Sequence, residues 1–135
     1  GEANSDQPIP HPLITEADVQ TLTNQEILAI NQDALGQQAE YMEALSTGTT
    51  DYSPSGYDVF VKDLTDSRIA VSITNRATSA ASVPAIPLTA IYLKANTRYI
   101  CREIWSQTEG EIENTLSVGS LNPCETRVYV LSKKE

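Results

Sequence analysis

Glu109, Glu111 and Glu113 alternate along the chain beside Gly110, a spacing that places three carboxylates on one face of a strand. Carboxylates aligned in this way can gather a cation, but charge on a solvated strand face gives the same pattern and is the simpler reading. Asp58, Asp63 and Asp66 read in the same way, as solvated turn and strand-edge residues. His11 is the only histidine and stands within Pro8-Ile9-Pro10-His11-Pro12. A Ser-His-Asp or Cys-His pair would need that lead-in to fold back onto the domain. Cys101 and Cys124 have no CxxC neighbour and no zinc-site spacing. Two separate thiols are the simpler reading, and a bridge would require neighbouring strands to bring them together. No Gly-rich phosphate loop follows any apolar run. No residue of the chain is therefore assigned a catalytic, cofactor-binding or metal-ligating role.

Aromatic residues offer a different chemistry. Trp105 and Tyr99, with Tyr41, Tyr52, Tyr57, Tyr92 and Tyr129, can form a platform for a sugar if their rings are exposed. A ring stacks on the C–H face of a pyranose while hydroxyls and amides supply polar contacts. The competing reading is burial, since a single Trp in a sandwich more often belongs to the core. Trp105 and Tyr99 are the stacking candidates, and the core reading is preferred.

These residues must be held by a scaffold whose size the sequence bounds. A chain of 135 residues suits one domain, which buries roughly two thirds of the surface its unfolded chain exposes. It is 40% hydrophobic and 20% charged, a globular balance. The net charge of −9 is uneven: residues 1–66 hold twelve acids against Lys62 alone, and residues 67–135 hold six acids and eight bases. Without a basic stripe, nucleic acid and anionic membrane surfaces are poor partners. No apolar run approaches the ~20 residues of a membrane helix. Gly1 at the start leaves room for a removed export signal, which would place the chain in the periplasm or outside the cell.

Residues 1–12 read as an extended or disordered lead-in, and residues 13–36 as a helical segment. Within it Thr15 can cap a turn through Thr21, and Thr23 with Glu26 forms a capping box for a helix at about residues 23–33. Ile27, Ile30 and Ala34 follow at helical spacing, and Gly36 closes the run. The amides of Asn31 and Gln32 point to fixed hydrogen bonds at the helix exit. From residue 37 to 135 the period changes to two. Strands are expected at Gln38–Leu45, Tyr57–Val61, Arg68–Asn75, Leu88–Leu93, Thr97–Trp105, Ile112–Val118 and Arg127–Leu131, with 77–87 as a loop. Asn96, residues 107–110 and Asn122-Pro123 read as turns. The expectation is an all-β antiparallel β-sandwich, Greek-key-like, of about seven to eight strands, preceded by a short helix.

Four segments carry a family resemblance. The run from Leu22 to Gln38, with Ala29-Ile30-Asn31-Gln32-Asp33-Ala34-Leu35-Gly36-Gln37 at its centre, resembles the segment joining the catalytic barrel to the C-terminal domain in glycoside hydrolase family 27, the α-galactosidases or melibiases. Arg68 to Arg76 is similar to a family strand ending in Asn-Arg. Arg102-Glu103-Ile104-Trp105 is similar to a strand written Arg-Asp-Leu-Trp. Asn122 to Leu131 resembles the closing strand, with Cys124-Glu125 where the family has His-Gly. The likeness covers about residues 13–132. It implies a non-catalytic C-terminal sandwich that supports a catalytic barrel, the two aspartates of a retaining mechanism lying on barrel strands upstream. It further implies that Ile27, Leu28 and Ile30 belong in part to an interface with that barrel, or else pack on the sandwich, self-associate or lie exposed. The alternatives are a stand-alone carbohydrate-binding module and a protein-interaction domain.

Overall fold

β-branched residues alternating with polar ones build the longest strands. In the computed structural model, which describes residues 16–33, 35, 38–47 and 56–135, Tyr57–Leu64 (β2) and Arg68–Asn75 (β3) form a hairpin, after a short β1 at Glu40–Tyr41. The other long strands are β6 (Arg98–Glu103), β7 (Thr108–Glu113) and β10 (Thr126–Lys133). Together they make a six-stranded antiparallel sheet in the order β1-β2-β3-β10-β6-β7. The last strand thus inserts between β3 and β6, a long-range return foreign to a simple meander.

A second layer is built from short pairs. β4 (Ala81–Val83) pairs with β9 (Gly119–Leu121), and β5 (Ile86–Pro87) with β8 (Thr115–Leu116). The core lies between the layers. Val59, Val61, Val71, Ile73, Tyr129 and Leu131 point inward from the large sheet onto Val83, Ile86, Leu88, Ile91, Leu116 and Leu121. Asn75 is the polar residue buried among them. Its amide donates to the carbonyls of Ser79, Leu121 and Asn122 at 2.9, 3.3 and 3.1 Å, and its Oδ1 accepts from Ala77 N–H. The Asn-Arg ending of β3 is thereby explained: Asn75 ties the two layers together, and Arg76 pairs with Asp58 at 2.6 Å.

The all-β sandwich and its leading helix agree with the sequence reading, and Arg68–Asn75 agrees residue for residue. Five local expectations are corrected. The helix α1 runs from Glu16 to Asn31 without a break, so Thr23 lies about two turns inside it and caps nothing. Leu88–Leu93 is not a strand: Leu88 and Ile91 are both buried at a spacing of three, which suits the 3₁₀ turn found at Leu88–Ile91. The turn expected at 107–110 lies earlier, because Thr108, Glu109 and Gly110 pair in register with Glu103, Arg102 and Cys101. Ile112–Val118 is interrupted at Asn114, whose φ of 70° ends β7 and sends the chain into the second layer. Residues 77–87, expected as a loop, contain β4 and β5, which raises the strand number among the described residues to ten. The lead-in 1–12, His11, Thr15, Ala34, Gly36 and Tyr52 lie outside the described residues.

Candidate functional site

The outer face of the large sheet carries Phe60, Lys62, Ala70, Ser72, Val128 and Val130, too apolar a set to leave to water. α1 lies across it. Thr23, Glu26, Ile27, Ile30 and Asp33 recur at intervals of three and four along one side, and this side meets the sheet. Polar clamps hold it at mid-length and at its C-terminal end. At the first, Arg102 grips Glu26 through two parallel hydrogen bonds, Nε–Oε1 at 2.7 Å and Nη2–Oε2 at 3.0 Å. Gln107 joins them by accepting from Arg102 at 2.6 Å and donating to Glu26 and to the Ile104 carbonyl. Thr23, fully buried, donates to the same carbonyl at 3.3 Å. The Arg102 hydrogen bond, with help from Gln107, outweighs desolvation and holds the Glu26 carboxyl below its ordinary value.

At the C-terminal end Lys62 donates to the Ile30 carbonyl at 2.8 Å and lies 3.4 Å from that of Asn31, placing a cation at the negative end of the helix. Asp33 then fastens the exit to the β2–β3 turn. It accepts from Leu35 N–H at 3.0 Å, from Thr65 N–H and Thr65 Oγ1 at 2.9 Å each, and pairs with Arg68 at 3.5 Å. The Leu35 N–H first, then Thr65 and Arg68, hold the Asp33 carboxyl low. Asn31 and Gln32 are exposed, so the fixed bonds expected of their amides come from Lys62 and Asp33 instead.

The turn from β6 to β7 adjoins the first clamp. Glu103 accepts from the backbone N–H groups of Trp105 and Ser106, both at 2.9 Å, and Gln107 closes the turn with φ 57°. Ile104 is buried and Trp105 is turned outward, 44% exposed. Arg102-Glu103-Ile104-Trp105 is thus a clamp, a turn brace, a core residue and a surface aromatic in succession.

Residues 54–131 match the model of a family described as the alpha galactosidase C-terminal beta sandwich domain. The chain belongs to that family. It is similar to "Probable alpha-galactosidase A" of Aspergillus terreus, with 34% identity over 118 residues, 87% of this chain and 20% of that protein. A match of that length does not fit between residue 54 and the C-terminus, so it takes in α1 as well. The fold is shared with α-galactosidase I of Mortierella vinacea (TM-score 0.66, 18% identity, 87% of this chain and 28% of that one). It is shared too with a family 27 β-L-arabinopyranosidase of Geobacillus stearothermophilus (TM-score 0.63, 18% identity, 87% and 24%). The chain thus spans between a fifth and just over a quarter of the length of these relatives.

In this melibiase C-terminal domain, the non-catalytic sandwich of the family, the residues singled out from sequence are dispersed rather than convergent. Ile27 and Ile30 are half-buried and line the crevice between α1 and the sheet, whereas Leu28 points away, 54% exposed. Leu22 and Leu35 are also exposed. Tyr99 is corrected as a stacking candidate: it is 4% exposed, its ring packs in the core and its hydroxyl accepts from Lys94 N–H. The preference for a buried Trp105 is corrected in the opposite sense. Cys101 is buried and Cys124 exposed, both free thiols, and burial pushes the Cys101 thiol up to about 11. Glu109, Glu111 and Glu113 lie exposed on β7, where Arg98 pairs with Glu111 and Glu113 and Lys134 bonds Glu111. Among the described residues no three His, Cys, Asp or Glu side chains are placed to hold a metal. Nor is any described helix long and apolar enough to cross a membrane.

Sequence reasoning missed the Arg102–Glu26 clamp and the Lys62 cap. One signal pointed to the second: Lys62 is the single base among the first 66 residues.

Proposed function

We propose that this chain is the supporting C-terminal part of a larger α-galactosidase-like retaining glycosidase, and that the outward side of α1 contacts the catalytic barrel. In this reading residues 1–12 are a lead-in, 13–36 join the barrel to the sandwich, and 37–135 are the sandwich. The two catalytic aspartates belong to the barrel, on strands upstream, and none of the carboxylates present here takes their place. The observation that carries the proposal is the two-sided helix. One side of α1 is clamped to the sandwich, while Leu22 and Leu28 stand 41% and 54% exposed on the remainder. Exposed leucines on an ordered helix are favoured where a partner covers them. The relatives are several times longer than this chain and their matched segment includes the helix, which supports a barrel as that partner.

The test is an assay of the purified chain on an aryl α-galactoside. No hydrolysis above buffer is expected, and turnover at enzyme-like rates would overturn the assignment of chemistry to the barrel. Sedimentation of the chain beside a Leu22→Ser/Leu28→Ser variant separates the interaction-domain reading. A dimer that dissociates on substitution would favour self-association through α1 over a barrel contact.

A further inference from the structure

We propose that the depression beside Trp105 binds a neutral pyranose sugar, with the indole stacked on the C–H face of the ring. This site is separate from α1's outward side and does not depend on the supporting role argued above. It lies at the end of the large sheet, where Glu103, Thr108 and Tyr129 face the inner side at neighbouring register positions.

Three features fit a sugar. The indole is presented by a braced turn: Glu103 holds the N–H groups of Trp105 and Ser106, Ile104 is buried, and Gln107 is tied to Glu26. A turn backbone fixed in advance spares part of the conformational entropy lost on binding. Around it stand small hydroxyls and a balanced ion pair. Ser106 Oγ and Thr108 Oγ1 lie 2.7 Å apart, and Arg127 Nη2 donates to Glu125 at 3.1 Å. These groups donate and accept at short range, as a polyol requires. The charge selects against anions, because Glu103 and Glu125 outnumber Arg127, whose guanidinium is also engaged by the carbonyls of Val118 and Ser120. A phosphate or carboxylate would meet two carboxylates and one committed cation, whereas a neutral sugar meets no such penalty.

Trp105 is the only Trp, so its emission reports on this depression alone. The intact chain is titrated with methyl α-galactoside, melibiose and glucose 6-phosphate. A saturable emission change with the two neutral sugars is expected, at a dissociation constant of roughly millimolar, with no response to the phosphate ester. Saturation transfer from protein to the sugar C–H protons is then compared for the parent, Trp105→Phe and Trp105→Ala. Phe should keep the transfer with several-fold weaker binding and Ala should lose it, each variant retaining the parent far-UV circular dichroism. Absence of a saturable change with both neutral sugars, equal transfer in Trp105→Ala, or a stronger response to glucose 6-phosphate would each overturn the proposal. Should Trp105→Ala fail to fold, Trp105→Phe with the parent titration decides the matter.

Discussion

The two faces of the six-stranded sheet are covered by different means. Inward, Val59, Val71, Ile73, Leu88 and Ile91 are fully removed from water within one cluster of buried side chains. Outward, α1 buries Thr23 completely but leaves Ile27 and Ile30 half-covered, and its hold rests on Arg102–Glu26–Gln107, Lys62 and Asp33. Apolar burial is non-directional and scales with area, so it sets the stability of the sandwich. Directional hydrogen bonds and ion pairs add little net energy but specify one orientation. The inner face thus determines that the chain folds, and the outer face determines the angle at which the helix leaves the sandwich.

The sharpest way to break this contrast is to empty the inner core. Ile73→Ala should cost about 2–5 kcal/mol in urea unfolding, whereas Ile27→Ala, half-covered, should cost about 1 kcal/mol or less. Equal losses would mean that α1 is part of the same core. Next in size is Arg102→Ala, which strips Glu26 of its charged partner, leaving Gln107, at a site still about a third open to water. About 1–2 kcal/mol is expected there, felt by α1 alone. Hydrogen exchange should rise along Glu16–Asn31 and remain slow in β3. Acid should act in the same direction. The Glu26 and Asp33 carboxyls are both held low, so the docked helix binds fewer protons than the released one. Their contribution is complete above the ordinary carboxylate range and is lost as pH falls through the depressed values. Below about pH 4 exchange along α1 should therefore rise before that of the core strands, where no carboxylate is buried among the described residues. Simultaneous loss in both regions would contradict the division. The smallest effect belongs to Leu28→Ser, which should change the stability of the isolated chain by about 0.5 kcal/mol or less, because that side chain stands mostly exposed on the outward side of the helix.

How much of this could be read from the chain follows from the range of each interaction. Alternation over 68–75 names β3 because the pleat repeats every two residues wherever one face is buried. Asn75-Arg76 and Arg102 to Trp105 stand out as motifs in the sequence, but their roles depend on partners that only folding brings near: Leu121 and Asn122 for Asn75, and Glu26, 76 residues away, for Arg102. Thr23 and Glu26 are the clearest case. Their spacing satisfies a local capping rule, and the same spacing puts both on one side of a longer helix. Tertiary contact with Ile104 and Arg102 decides between the two uses. Tyr99 and Trp105 show the same limit, since composition marks both as aromatic, and strand register buries the first while the β6–β7 turn exposes the second. By itself the sequence determined a β-sandwich behind a helix and the family to which it belongs, because short-range periodicity and local motifs encode them. The tertiary structure decided which side of α1 is clamped, which is left open, and which aromatic meets water, because those outcomes depend on groups far apart in the chain.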